Sequence, residues 1–237
     1  TSVALTGAAF PITGTINSYT ILPSFSGTKY VGTANNAGCP SLDYATITLA
    51  VAALNGGVVT GPTPFMLCDN TYATETLPIT INANGGSSAT NTVTIKPAGG
   101  LTATITGTIA GCAVNLNGAD WTIIDGSNGG GTPAGTSRDL TITNTSTSGA
   151  SAAVCVTSLG VGAGATNDTV KNCNIATGLA ASTANYGISV GGSTAGTSGA
   201  DNDSTTLQNN SVTVATVGIY ANGTASVSTG GNDSLAI

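Results

Sequence analysis

Histidine is missing from this chain altogether, and charge of either sign is scarce. Only 6% of the 237 residues are charged, four of them basic, for a formal net charge of −6. A typical globular domain carries roughly 25%. Binding a phosphate backbone needs clustered Lys and Arg, and the four cations are scattered (Lys29, Lys96, Arg138 and Lys171). Nucleic acid is excluded as a partner on that ground, and an anionic membrane surface with it. The five cysteines show no C-x-x-C spacing, so without histidine the usual zinc ligand sets are not expected. Nor is any other cofactor. Aromatics are 4% of the chain, with a single Trp, which leaves little to stack on a sugar ring. The longest apolar run, 45–55, includes Thr and is too short to span a bilayer. No charged-then-apolar leader precedes Thr1, as expected downstream of a processing point or an artificial boundary.

What fills the gap is Thr, Ser, Asn, Ala and 34 glycines, within a chain that is still 40% hydrophobic. Disordered chains are also poor in aliphatics, whereas here aliphatics alternate regularly. Small and β-branched residues suit thin, repetitive sheets. Residues 1–38 read as a β-rich lead-in, a candidate inter-subunit strand that could complete the open coil of a neighbouring copy. The segment SLDYATITLAVAALNGG predicts the one helix, near 43–55, with Ser41 or Asp43 as N-cap, Ile47, Val51 and Leu54 on one face, and Gly56-Gly57 as its stop. Short strands follow at 92–97, 102–107, 113–118, 120–126, 138–145, 153–158, 169–175, 186–192, 205–214 and 217–223.

These strands repeat. Val154, Ile188 and Ile219 fall into one column, and Leu140, Val170, Leu207 and Leu235 into another, each at a period of about thirty residues, which signals a solenoid. Alternation places Val154, Val156, Ile188 and Val190 inside, Cys155 and Ser189 outside, and both Cys112 and Cys173 inside as small core residues. A β-sandwich is the competing architecture, but it does not require one circuit to resemble the next. The predicted fold is all-β: a right-handed parallel β-helix over 39–237 with its first coil capped by the helix. Asn at the bends tolerates left-handed backbone, and Asn172, Asn209 and Asn144 are candidates for an internal amide ladder.

The stretches LDYATITLAVAALNGG, TNTVTIKPAGG, LNGADWTIIDGSN, SRDLTITNTS, ATNDTVKNCNI and GADNDSTTLQNNS carry a resemblance. Over 43–237 the chain resembles the pectin-lyase-like β-helix superfamily, and more closely the secreted β-helix proteins of Bacteroidota associated with type 9 secretion. The resemblance implies a secreted, extracellular or cell-surface protein. It says little about activity, and this chain departs from it in having no C-terminal sorting domain and in stopping within a coil at Ile237.

No catalytic constellation stands out. The best carboxylate group is Asp125 and Asp139 with Arg138, where stacked coils bring acids to the separation that sugar-bond hydrolysis requires; turn positions account for the same residues. Cys39 and Cys68 flank the helix, and a disulfide between them closes a loop worth roughly 3–4 kcal/mol. An odd number of cysteines leaves one thiol without an internal partner. In Asp168-Thr169-Val170, Asp203-Ser204-Thr205 and Asp233-Ser234-Leu235, the resemblance implies O-glycan acceptors at Thr169, Ser204 and Ser234. The competing reading is a turn that starts each strand. Thr-rich strands such as TATITGT also raise an ice-binding face, against which the drifting repeat length weighs. The expected function is a structural module for adhesion or head-to-tail fibre assembly, its partners further copies of itself or cell-surface glycans. The alternative is a polysaccharide-binding or polysaccharide-cleaving β-helix.

Overall fold

The computed structural model describes residues 21–34, 36, 38–129, 137–178, 184–224 and 230–237. Within them the chain is nearly all β, with one helix, and every strand pairing is parallel. The N-terminal part holds β1 (Ser24–Phe25), β2 (Lys29–Val31), α1 (Ile47–Asn55), β3 (Val58–Val59), β4 (Thr63–Leu67) and β5 (Ile79–Asn82).

Then come four trios of strands. They are β6 (Val93–Pro97), β7 (Ala103–Gly107) and β8 (Cys112–Asn117); β9 (Thr122–Asp125), β10 (Leu140–Asn144) and β11 (Ala152–Thr157); β12 (Thr169–Lys171), β13 (Cys173–Thr177) and β14 (Tyr186–Gly191); β15 (Thr206–Gln208), β16 (Ser211–Thr213) and β17 (Val217–Ala221). The first member of each trio joins a six-stranded sheet, β15-β12-β9-β6-β4-β2. The second joins a four-stranded sheet, β16-β13-β10-β7, and the third a five-stranded sheet, β17-β14-β11-β8-β5. The chain thus visits three sheets in rotation and lays each circuit beside the one before.

Register turns this rotation into columns of like residues. Phe65, Ile95, Ile124, Val170 and Leu207 align across the six-stranded sheet. Ile105, Ile142, Ile175 and Val212 align across the four-stranded one. Ile79, Val114, Val154, Ile188 and Ile219 align across the five-stranded one, as the repeat spacing predicts for its last three members. Apart from the half-buried Val212 and Ile219 these side chains are buried and belong to one continuous core. β-branched residues recur because a flat strand buried on one face packs them best.

Several expectations are corrected by this register. Leu140 pairs with Cys173 and Ala103 rather than standing in the Val170 column. Leu235 falls opposite Thr205, because Ala236 bridges Thr206. The segments 169–175 and 205–214 are each two strands in different sheets, separated by a corner at Asn172 (φ 58) or Asn209 (φ 51). Asn tolerates this left-handed backbone better than other side-chain-bearing residues. Cys112 leaves the inward alternation: Ala153, the residue after Ala152 of β11, joins the core together with its neighbour Val154, so the strand kinks there. Cys112 is instead bonded to Cys155 in a small cluster on the outer face with Ala152, Ala195 and Tyr186. Cys173 is the free thiol and is buried, as predicted.

The helix buries Ile47, Ala50, Val51 and Leu54, but its cap is neither Ser41 nor Asp43. Tyr44 bridges Val31 in an extended conformation, so the helix starts later, with Thr46 accepting from the Leu49 N–H. Glu75 takes the N–H groups of Ile47 (2.8 Å) and Thr48 (2.7 Å), a carboxylate at the positive end of the helix. In the lead-in, β1 and β2 pair with this chain's own β3 and β4, and positions 1–20 lie outside the described residues.

Candidate functional site

The turns between the six- and four-stranded sheets are held by a line of side chains. Asn172 donates from Nδ2 to Asp125 Oδ1 (2.8 Å), and Asn209 donates from Nδ2 to Asn172 Oδ1 (2.8 Å). Arg138 closes the line on Asn209. This is the amide ladder predicted for Asn172 and Asn209, begun by a carboxylate. Asn144 is not part of it. It ends β10 at a different corner, where its amide donates to the carbonyls of Ile109, Gly111 and Ala152.

The ladder also fixes the fate of the Asp125–Arg138–Asp139 group. Asp125 is buried, accepts from the Ser127 N–H and Asn172, and lies 3.5 Å from Lys171 Nζ. Asp139 accepts from the Asn128 N–H (3.0 Å) and the Ser137 hydroxyl (2.5 Å). Each of the three is engaged within the turns, Asp139 in its own and Asp125 and Arg138 with those of other circuits.

A second set of turns leads into the six-stranded sheet, and here the Asn-Asp repeats resolve. Asn202-Asp203-Ser204 lies over Asn232-Asp233-Ser234: Asn202 N–H donates to Asn232 Oδ1, and Ser204 N–H to the Asp233 carbonyl. Asn167-Asp168-Thr169 is shifted by two residues. Asn167 stands opposite Ser204, and Ala165 occupies the Asn202 column, with its N–H on Asn202 Oδ1 (3.0 Å). Of the three hydroxyls singled out in the sequence, Ser204 and Ser234 are stacked and exposed, both at positive φ (56 and 60). Thr169 is half-buried within β12, opposite Thr206 and Ile123.

On the same turns a cleft of about 470 Å³ opens, lined by Asp120, Asp201 and Asp203 together with Leu159, Gly164 and Thr166. Asp120 and Asp203 flank Thr166 in one column, two strand spacings or roughly 10 Å apart. Asp120 Oδ1 holds the Thr166 N–H (3.1 Å) and hydroxyl (2.5 Å), Asp201 Oδ2 holds the Gly162 N–H (2.5 Å), and Asp203 Oδ1 holds the Asp233 N–H (2.7 Å). Asp120 and Asp201 share no sequence motif that marks them as neighbours. Only the register Gly118-Ala-Asp120, Gly164-Ala-Thr166, Asp201-Asn-Asp203 brings them together, Asp203 in the Asp120 column and Asp201 two positions before it.

The pattern extends through the molecule. Of the ten acidic side chains, nine accept a hydrogen bond from a backbone N–H of the described residues: Asp43 from Tyr30, Asp69 from Thr33 and Ala34, Glu75, Asp120, Asp125, Asp139, Asp201 and Asp203 as above, and Asp168 from Thr122. Near Asp69, the Tyr72 hydroxyl donates to the Val31 carbonyl and accepts from the N–H groups of Cys68 and Asp69. Burial, the largest cause, pushes it up to about 12. The predicted Cys39–Cys68 disulfide is present beside it. Among the described residues no group of three or more His, Cys, Asp or Glu is arranged to hold a metal ion. No helix of the described residues is long and apolar enough to cross a membrane. Comparison with protein-family models, with curated proteins and with solved structures finds no match to this chain.

Proposed function

We propose that the chain is a right-handed parallel β-helix serving as an extracellular structural module, a rod whose surface rather than a reaction is its product. The rotation through three parallel sheets supports the coiled architecture, since parallel crossovers are right-handed in nearly all cases. Two disulfides, Cys39–Cys68 and Cys112–Cys155, fit an oxidising compartment. The pectin-lyase-like and Bacteroidota likeness of the sequence agrees with both.

The observation that carries the functional reading is where the carboxylates are used. Sugar-bond hydrolysis needs one carboxyl to give a proton and another to act as base or nucleophile. Here nine of ten acidic side chains are anchored on backbone N–H groups, most of them on a segment distant in sequence that the fold lays alongside. A chain with so few charges uses them to close its corners. Adhesion or head-to-tail assembly is then the role left to its Thr, Ser and Asn exterior.

The second reading rests on the cleft alone. Asp120 and Asp203, with Asp201 beside them, stand at about the separation of an inverting glycosidase pair. Incubation with neutral and acidic polysaccharides, followed by assay of new reducing or unsaturated ends, tests the two. No new ends, with rods or filaments in electron micrographs of the purified protein, is the expected result. Turnover that Asp120→Asn and Asp203→Asn both abolish would overturn the structural reading.

A further inference from the structure

Asp168 differs from the other carboxylates in facing the interior. It lies one residue before the paired positions of β12, in an inward column with Thr63, Val93, Thr122 and Thr205, all of them buried. Its own exposure is 0%. Oδ1 accepts from the Thr122 N–H at 2.7 Å, while Oδ2 is buried with no hydrogen-bond partner. The Thr205 hydroxyl beside it is committed to the Asn202 carbonyl. The charged groups on the elements packed against it are negative: Asp120 on the turn into β9 and Asp203 on the turn into β15. Lys171, further along β12, is paired with Asp125. An ionised carboxylate in this place has one oxygen without a donor and no cation to offset it, a state that burial strongly disfavours.

We propose that Asp168 is carried in the folded chain as a neutral carboxylic acid, and that its ionisation as pH rises is a release for the stack of turns around β9, β12 and β15. Burial raises its carboxyl well above the usual range; the Thr122 N–H opposes this, and the charge of Asp120 adds to it. In the unfolded chain the same group ionises near pH 4. Between that value and the raised one the folded state binds the extra proton. The contribution to stability is therefore full below about pH 4 and falls as pH rises toward the folded value. The turns that loosen are those lining the cleft of Asp120, Thr166 and Asp203, so the same event admits solvent there.

Denaturant midpoints measured from about pH 4 to about pH 9 on the whole chain, on Asp168→Asn and on Asp120→Asn test this. The wild-type midpoint is expected to fall with rising pH and that of Asp168→Asn to stay level. In Asp120→Asn the fall is expected to be complete at a lower pH, since a charge that raises the Asp168 value is gone. Parallel wild-type and Asp168→Asn curves would overturn the proposal. Should Asp168→Asn fail to fold, ¹³C NMR of the wild-type Asp carboxyl carbons decides: one carbon is expected to keep its protonated shift after the rest have titrated, and all of them titrating at ordinary carboxylate values would overturn it.

Discussion

The Arg138 guanidinium grips Asn209 twice, from Nε to its main-chain oxygen at 2.7 Å and from Nη2 to its side-chain oxygen at 2.6 Å, across 71 positions of sequence. Behind Asn209 the line continues through Asn172 to Asp125. Both amides point their N–H ends toward the carboxylate and their oxygens toward the guanidinium. Each dipole thus lies favourably in the field of both end charges, and the hydrogen bonds polarise one another in the same sense. In the circuit of Asn172 the line also fixes register, since a slip of one residue would bring Lys171 or Cys173, neither of them an amide, to the corner.

Asn172→Ala is accordingly expected to be the most damaging change in the line. It leaves the buried Asp125 Oδ1 short of a donor and the Asn209 amide short of an acceptor, at a cost of roughly 2–4 kcal/mol. Arg138→Ala removes only the exposed end and is expected to shift the melting temperature little. Thermal melts of the two variants check this. Equal losses would mean that the exposed guanidinium matters as much to the line as its buried centre.

The circuits were legible in the sequence because their spacing depends on apolar residues that must face one core. Val154, Ile188 and Ile219 could be aligned before their register was seen. What misled was similarity of the wrong kind. Asn167-Asp168-Thr169 spells nearly the same triplet as Asn202-Asp203-Ser204, Thr for Ser, yet stands two residues out of step with it. Asn167 holds the left-handed position that Ser204 and Trp121 also hold (φ 58, 56 and 56), and a corner accepts several residue types. A strand position is selected by burial, a turn position by backbone angle, and only the first leaves a regular trace. The acidic cleft was illegible for the same reason, since Asp120, Asp201 and Asp203 meet through turns.

Gly126 and Gly164 sit where adjacent circuits approach too closely for a side chain. A Cβ on Gly126 would overlap the Asn172 carbonyl oxygen, and one on Gly164 the Asp201 carbonyl oxygen. Neither obstacle is the end of a flexible side chain, so relief requires the circuits to separate. Gly126→Ala and Gly164→Ala are each expected to lower the denaturant midpoint well beyond the sub-kcal/mol effect of an ordinary exposed substitution. Gly85→Ala, where nothing lies within 4 Å, is the control. Equal midpoints for all three variants would show that the circuits are not in close contact there.

All five cysteines are buried, four of them in disulfides. Burial pushes the Cys173 thiol strongly upward, away from the reactive thiolate. The native protein is expected to resist both thiol-labelling reagent and mild reductant. After unfolding it should take up one label without reduction and five with it. Replacing Cys112 and Cys155 together by Ala is expected to destabilise by roughly 3–4 kcal/mol. Mass spectrometry of labelled protein reads the counts, and rapid labelling of the native state would place Cys173 outside the core.

Ser204 and Ser234 are the two hydroxyls that the fold both exposes and stacks, one circuit apart. If they carry sugars, the glycans form a column spaced at about 4.8 Å. That is closer than two sugar rings lie side by side, so the chains must splay outward from the turns. Thr169, half-buried within a strand, offers no such room. Protein purified from its natural source is therefore expected to show added mass on peptides containing Ser204 and Ser234 and none on the peptide containing Thr169. A hydrated coat would also supply the solubility that four basic and ten acidic residues do not. Ser204→Ala with Ser234→Ala should then lower solubility without moving the melting temperature. An intact mass equal to the bare polypeptide would end the glycan reading and leave the two serines as turn residues whose left-handed backbone is their whole role.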